Sequence, residues 1–261
     1  MADAKAPESK SPNCQKTRNH LTHKTMISHF ETRSCTECGE NYEHEPMMLG
    51  DTDMLEHVTV CEACSTKIRR RDERAEREEK ARGKWEKSIP KEYRLTRTDH
   101  PDYPANIHDK AMGWLRSTDG DRKPFLGILG ISGKGKTRVA SQLAKRILWE
   151  GGFVRWVGSY QFQWACQRQF TDKDGAEASK ALKLHQAAKN LVFDDIGALK
   201  STEVVSDCLY ALLEHRSANA LPMIWTSNES PEEMLGGKGI SNHARSRNIS
   251  RLEGYSHIIE S

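Results

Sequence analysis

The octapeptide GISGKGKT, residues 130–137, restricts what this chain can be more than any other stretch. It fits the pattern G-x-x-x-x-G-K-[ST] in full, and it stands between a short apolar run, FLGILG at 125–130, and the helix-forming stretch that begins RVASQLAKRILW. A glycine-rich turn in that setting wraps closely around phosphate oxygens. Gly130, Gly133 and Gly135 let the backbone approach those oxygens closely, and the N–H groups of the loop and of the helix start are expected to point inward at negative charge. The expected nucleotide cradle is therefore Gly130, Ile131, Ser132, Gly133, Lys134, Gly135, Lys136, Thr137 and Arg138. Lys136 is expected to reach the β- and γ-phosphates of ATP, and the Thr137 hydroxyl to take one Mg²⁺ position. The side chain of Lys134 reads as a solvent-facing loop residue.

Four further apolar runs follow the same logic: FVRWVG at 153–158, NLVFDD at 190–195, PMIWTSN at 222–228 and SHIIE at 256–260. Helical stretches separate most of them, and parallel strands need such crossovers, so the fold class is α/β with a mainly parallel sheet covered on both faces. The run LVF carries Asp194 to the carboxyl end of a buried strand, the edge of an α/β sheet at which ligands bind. Asp194 is expected to hold the Mg²⁺ shell with Thr137. Asp195 stands where many ATPases carry a water-activating Glu; it either orients the attacking water or caps the turn before Ile196 and Gly197. Asn228, at the end of PMIWTSN, either bonds the γ-phosphate or the attacking water, or caps the turn before Ser230 and Pro231.

A chain of 261 residues accommodates one sizeable core and an accessory domain. Residues 1–30 are polar, without apolar period, and read as a disordered tail. Residues 31–66 hold CTEC at 35–38 and CEAC at 61–64, separated by 22 residues. Two such pairs suit a tetrahedral, structural Zn²⁺ site of Cys35, Cys38, Cys61 and Cys64, with Gly39 permitting the tight turn after the first pair. A redox pair is the competing reading, disfavoured because no βαβ pattern surrounds it. His44, His57 and Cys14 lack paired spacing and read as surface or tail residues without partners; Cys166 and Cys208 read as small core residues.

Residues 67–100 read as a charged helical linker and pre-core segment, and residues 101–261 as the core. From Thr66 to Arg97 there are 13 Lys or Arg against 7 Asp or Glu, a local excess of +6 in a chain whose net charge is only +3. That helix is either a salt-bridged spacer, with pairs such as Glu73 and Arg77, or a contact surface for nucleic acid or protein. The aromatics of FVRWVGSYQFQW read as core packing, with stacking on single-stranded bases as the alternative. The chain shows no secretory signal and no apolar run near the length of a membrane span, so a cytoplasmic protein without a membrane partner is expected.

The order GISGKGKT, LVFDDIGALK, a helix ending LLEHR, then LPMIWTSN resembles the AAA+ ATPases of the DnaC-type helicase-loader and IstB-type transposition-helper group, known from phages and bacteria. WEKSIPKEYRLTRTD, from Trp85 to Asp99, is similar to the segment that precedes the core in those loaders. The likeness covers roughly residues 85–260. It implies a five-stranded P-loop core with Asn228 as first sensor, no C-terminal lid, and adenine held by core residues and the segment from Trp85 to Asp99. It also implies an arginine finger acting on a neighbouring subunit's ATP: in RNISRL this is Arg247, with Arg251 as the alternative. An active site completed in trans requires a homo-oligomer, filament or complex with a ring helicase. The function expected from the resemblance is slow, assembly-dependent ATP hydrolysis in a replication accessory protein that acts with single-stranded DNA and a replicative helicase. Delivery of a transposase is the nearby alternative. A small-molecule P-loop kinase is disfavoured by the late arginine pair and the lack of an evident substrate lid, and a zinc module with a dead ATPase is the remaining reading.

Overall fold

The computed structural model describes residues 30–49, 51–117, 122–171, 173–200, 202–234 and 241–260. All of the expected tail but Phe30 lies outside the described residues, as does Cys14. The chain divides after Arg70 into two compact units.

In the first unit, β1 (Glu31–Ser34) and β2 (Asn41–His44) form one antiparallel pair, and β3 (Met48–Leu49) and β4 (Thr52–Asp53) a second. The turn between β1 and β2 closes through Gly39, whose φ of 74° is left-handed and whose N–H donates to the Cys35 carbonyl at 2.9 Å. Asp53 organises the second pair. Its carboxylate accepts from the N–H groups of Met47 at 3.0 Å and Leu55 at 2.9 Å and lies 2.9 Å from His44 Nε2. His44, expected at the surface without a partner, is buried and bonded to that carboxylate, because the β1–β2 pairing turns it inward; His57 is exposed as expected.

The long helix α1 (Glu62–Ser88) carries exposed ion pairs over its middle, where Arg74–Glu78 and Arg77–Glu73 pair at 2.8 and 3.8 Å. Such pairs contribute little to stability. Its last turns differ. Ala81 and Trp85 are buried, and Trp85 packs edge-on to Trp149 at 6.3 Å, so the core of the second unit begins inside the charged segment.

The second unit continues with α2 (Lys91–Arg94), α3 (Ala105–Arg116), β5 (Phe125–Leu129), α4 (Lys136–Trp149), β6 (Arg155–Gly158), α5 (Ser159–Arg168) and α6 (Gly175–Ala187). Then come β7 (Leu191–Asp194), a 3-10 turn (Ile196–Ala198), α7 (Glu203–Ala218), β8 (Met223–Ser227), α8 (Pro231–Met234), α9 (Asn242–Tyr255) and β9 (Ser256–Glu260). The five strands lie in the order β6-β7-β8-β5-β9, and every described pairing is parallel. Alternate residues of β5 serve opposite faces. Leu126 and Ile128 join Trp85, Ile107 and Leu143 in one core, whereas Phe125 and Leu129 join Phe162, Phe193 and Leu209 in the other. The result is the three-layer α/β architecture read from the sequence. The aromatics of residues 153–164 divide: Phe162 is buried, whereas Phe153 and Tyr160 are exposed.

The centre of the sheet depends on one close approach. Gly127 of β5 sits beside Trp225 of β8, and a Cβ at Gly127 would lie 2.5 Å from the indole ring. The indole N–H donates to Ser256 Oγ of β9 at 2.9 Å, so one side chain reaches across three strands. Gly127→Ala is expected to destabilise the protein by about 1–3 kcal/mol through overpacking. A thermal melt should show a fall of several degrees, and an unchanged midpoint would mean that Trp225 moves aside freely.

Candidate nucleotide-binding site

The carboxyl ends of β5, β7 and β8 converge on a cavity of about 790 Å³. Ser132 to Arg138, Asp194, Asp195 and Asn228 all line it, which brings most of the sequence-expected residues to one place. Gly130 and Ile131 contribute differently, through their carbonyls, and the Ile131 side chain is exposed. The loop turns on left-handed glycines: φ is 83° at Gly133 and 79° at Gly135, the residue before α4. Gly135 is constrained twice, since a Cβ there would also lie 2.9 Å from Pro104 Cδ.

Lys136 is buried, and its ammonium donates to the Gly130 carbonyl at 2.7 Å, the Ile131 carbonyl at 2.9 Å and Asn228 Oδ1 at 2.8 Å. Three acceptors match its three N–H bonds. Burial lowers its pKa, against the pull of the Asp195 and Asp194 carboxylates.

The two aspartates are held unequally. Asp194 Oδ1 accepts from the hydroxyls of Thr137 and Thr226, each at 2.8 Å. Burial pushes its pKa above the ordinary carboxylate range, and those two hydroxyls only partly offset this. Asp195 has left-handed backbone angles, φ 55° and ψ 48°, and its N–H donates to Thr226 Oγ1 at 2.8 Å. Asp is among the few non-glycine residues that adopt this conformation with any frequency.

Tyr93 of α2, within the segment from Trp85 to Asp99, and Thr226 of β8, within PMIWTSN, also line the cavity, although neither is among the site residues expected from the sequence. Tyr93 stacks on Trp156, with ring centroids 5.9 Å apart. Burial, together with the charge of Asp194, raises its pKa to about 12. The aromatic position within KEYR and the polar end of a buried strand are the signals that mark these two residues. Asp102 and Pro104 complete the rim, whereas Trp85 is in the core and does not line the cavity.

Arg247 and Arg251 lie elsewhere, one turn apart on α9 and facing α7. Arg247 bonds Asp207 at 3.1 Å and lies over the Tyr210 ring at 4.4 Å, and Arg251 pairs with Glu214 at 2.5 Å. Both side chains stay about one third exposed, 32% and 30%.

In the first unit, the sulfurs of Cys35, Cys38, Cys61 and Cys64 all lie within 4.8 Å of one another. Cys38 and Cys61 are 3.9 Å apart, close to the edge of roughly 3.8 Å that four Zn–S bonds of about 2.3 Å would define. The Cys61 N–H donates to Cys35 Sγ at 3.3 Å, and this bond is the main cause that lowers the Cys35 pKa to about 6. The Cys64 thiol shifts the other way, pushed up to about 12 by the neighbouring Cys61 and Cys38 sulfurs and by burial.

The raised pKa of Asp194 gives a stability prediction. The folded state binds this proton more tightly than the unfolded chain, so stability falls as pH rises through the folded pKa. Asp194→Asn keeps the acceptor for Thr137 and Thr226 and removes the buried charge. Without nucleotide, the variant should melt above the wild type near neutral pH, and the gap should close as pH falls toward the ordinary carboxylate range. Equal melting at every pH would refute the electrostatic account.

No family model matches the sequence. The chain is 30% identical over 145 residues to an ATP-binding protein in an insertion sequence of Mycobacterium tuberculosis. That match covers 53% of this chain and 53% of the relative, so the chain spans about half the length of the curated protein it matches. Among solved structures, DnaI superposes with a TM-score of 0.53 at 18% identity, over 66% of this chain and 94% of DnaI. The DnaC helicase loader superposes with a TM-score of 0.49 at 16% identity, over 66% of this chain and 99% of that protein. At the identity to DnaI the likeness is one of fold: the second unit shares with DnaI a five-stranded parallel α/β core.

Proposed function

We propose that this protein is an ATP-binding and ATP-hydrolysing accessory factor of DNA replication, a helicase loader that acts with single-stranded DNA and a replicative helicase. The observation that carries the reading is the convergence of Lys136, Thr137, Asp194, Asp195 and Asn228 on one cavity in a DnaI-type fold. The ammonium of Lys136 already sits among three oxygens at the loop, so a triphosphate exchanges those acceptors for phosphate oxygens without moving the lysine far. Thr137 and Asp194 would hold Mg²⁺, which neutralises phosphate charge and polarises the γ-phosphate when bound with ATP. Asp195 orients or activates the attacking water, and Asn228, released from Lys136, bonds that water or the γ-phosphate.

Arg247 is the favoured finger acting on a neighbouring subunit's ATP, with Arg251 as the alternative. Two things support a role in trans: neither lines its own chain's cavity, and each keeps part of its guanidinium accessible. The four cysteines form a structural Zn²⁺ centre with all four positions filled by sulfur, in a unit where the described strands bury little apolar surface. Among the described residues no helix is long and apolar enough to cross a membrane. A transposition helper that delivers a transposase is the second reading, and the insertion-sequence relative is what favours it.

An ATPase assay across protein concentration, with and without single-stranded DNA, tests the reading. Turnover per chain should rise steeply with concentration, increase with DNA, and vanish in Lys136→Ala and Asp195→Asn while Asp195→Asn still binds ATP. Mixing Lys136→Ala with Arg247→Ala should restore part of the activity, because each supplies what the other lacks. Activity per chain that is independent of concentration and DNA would count against a loader. Co-purification with a helicase or with a transposase separates the two readings. Metal analysis should find about one zinc per chain, lost on Cys38→Ser, in keeping with one tetrahedral Cys₄ site.

A further inference from the structure

The ladder between β7 and β8 pairs Leu191 with Met223, Val192 with Ile224 and Phe193 with Trp225, and it ends there. Both strands continue: β7 pairs with β6 through Asp194, and β8 with β5 through Ser227. At the position after Trp225 the two strands are joined by a side chain instead. The Thr226 hydroxyl, almost fully buried, donates to Asp194 Oδ1 at 2.8 Å and accepts the Asp195 N–H at 2.8 Å. A hydroxyl has one proton to give. With that proton committed to the carboxylate, its lone pair faces the amide, and both roles are used.

Two consequences follow from this substitution of a side chain for the ladder. Asp195 is freed from strand geometry and turns into the left-handed region, and its otherwise unpaired N–H finds an acceptor. Asp194, which lines the cavity, keeps its second oxygen outside these two bonds. A single hydroxyl therefore bonds both aspartates, sharing the Asp194 carboxylate with Thr137 and alone accepting the Asp195 N–H. The turn that follows packs tightly as well: a Cβ on Gly197 would lie 2.5 Å from Ser227 Oγ.

We infer that Thr226 is a positioning residue for hydrolysis, holding the Asp195 backbone so that its carboxylate meets the attacking water. This rests on the ATPase reading above. Displacements of about 1 Å at such a carboxylate lower turnover on the order of 100-fold. Thr226→Val keeps the shape and deletes both bonds; kcat should fall roughly 10- to 100-fold while KM for ATP stays within about threefold. Thr226→Ser, which restores the hydroxyl, should recover most of the turnover. Gly197→Ala, which displaces the turn after Asp195 without touching Thr226 or Asp194, should give the same division between kcat and KM. Wild-type turnover in Thr226→Val, or no recovery in Thr226→Ser with the fold intact, overturns the inference. Amide exchange at Asp195 decides it without turnover. It should be at least about tenfold faster in Thr226→Val than in the wild type or Thr226→Ser, since the lost bond is the one that closes this amide. Equal exchange overturns the inference, whereas a wild-type chain that hydrolyses no ATP in any assembly sinks the ATPase reading instead.

Discussion

Trp225 fills the space that a side chain on Gly127 would need, and its indole N–H ends on Ser256. That contact pins β8 against β5 and ties both to the edge strand β9. From β5 the chain enters the glycine loop, and from β8 it delivers Thr226 and Asn228. A slip of one residue between these strands would turn Thr226 away from Asp194 and Asn228 away from Lys136. The register fixed by an interior aromatic thus decides whether the polar groups at the sheet edge meet.

The same economy of polar groups governs the edges of the core. Arg216, fully buried on α7, donates to the carbonyls of His185, Gln186 and Ala188 at 3.0, 3.1 and 2.8 Å, and also to the Pro222 carbonyl. The first three carbonyls lie at the C-terminal end of α6 and the fourth just before β8, so one guanidinium satisfies helix-end and loop acceptors that would otherwise be buried without partners. Burial lowers its pKa to about 10, still well above neutrality, and the group stays charged. Asn248 of α9 acts similarly on Ser206 of α7 at 2.9 Å, which ties the helix carrying Arg247 to the layer beneath β7.

Period and motif spacing made the core legible. The apolar runs at 125–130, 153–158, 190–195, 222–228 and 256–260 correspond to β5 to β9; the first four are trimmed by a residue or two and the last is matched in full. Four cysteines in two pairs announced their cluster in the same way, because both the pairing and the spacing are local in sequence. What escaped were residues whose meaning depends on contacts remote in the chain. Arg216 in LLEHR looks like an exposed helix end, and Trp85 looks like an isolated aromatic in a charged run, yet both are core residues. Thr226 reads as the polar close of a strand, and nothing in TSN reveals that its partners stand 31 and 32 positions away. His44 belongs to this class too, since only the pairing of β1 with β2 turns it toward Asp53.

The second aspartate of LVFDDIG gains a physical rationale from its backbone. A Glu at residue 195 would extend the carboxylate by one methylene, which from the sequence makes Asp look like a shortened general base. The structure shows a second demand on the same residue, a φ of 55° immediately after the strand. Asp enters the left-handed region several-fold more often than most residues with a Cβ, and Glu lacks that advantage. The turn also brings the chain close beneath β8, where Gly197 leaves no room beside Ser227. From this left-handed turn Asp195 lines the cavity beside Asp194. Length of side chain and handedness of backbone are then one coupled choice, and exchanging Asp195 for Glu alters both at once.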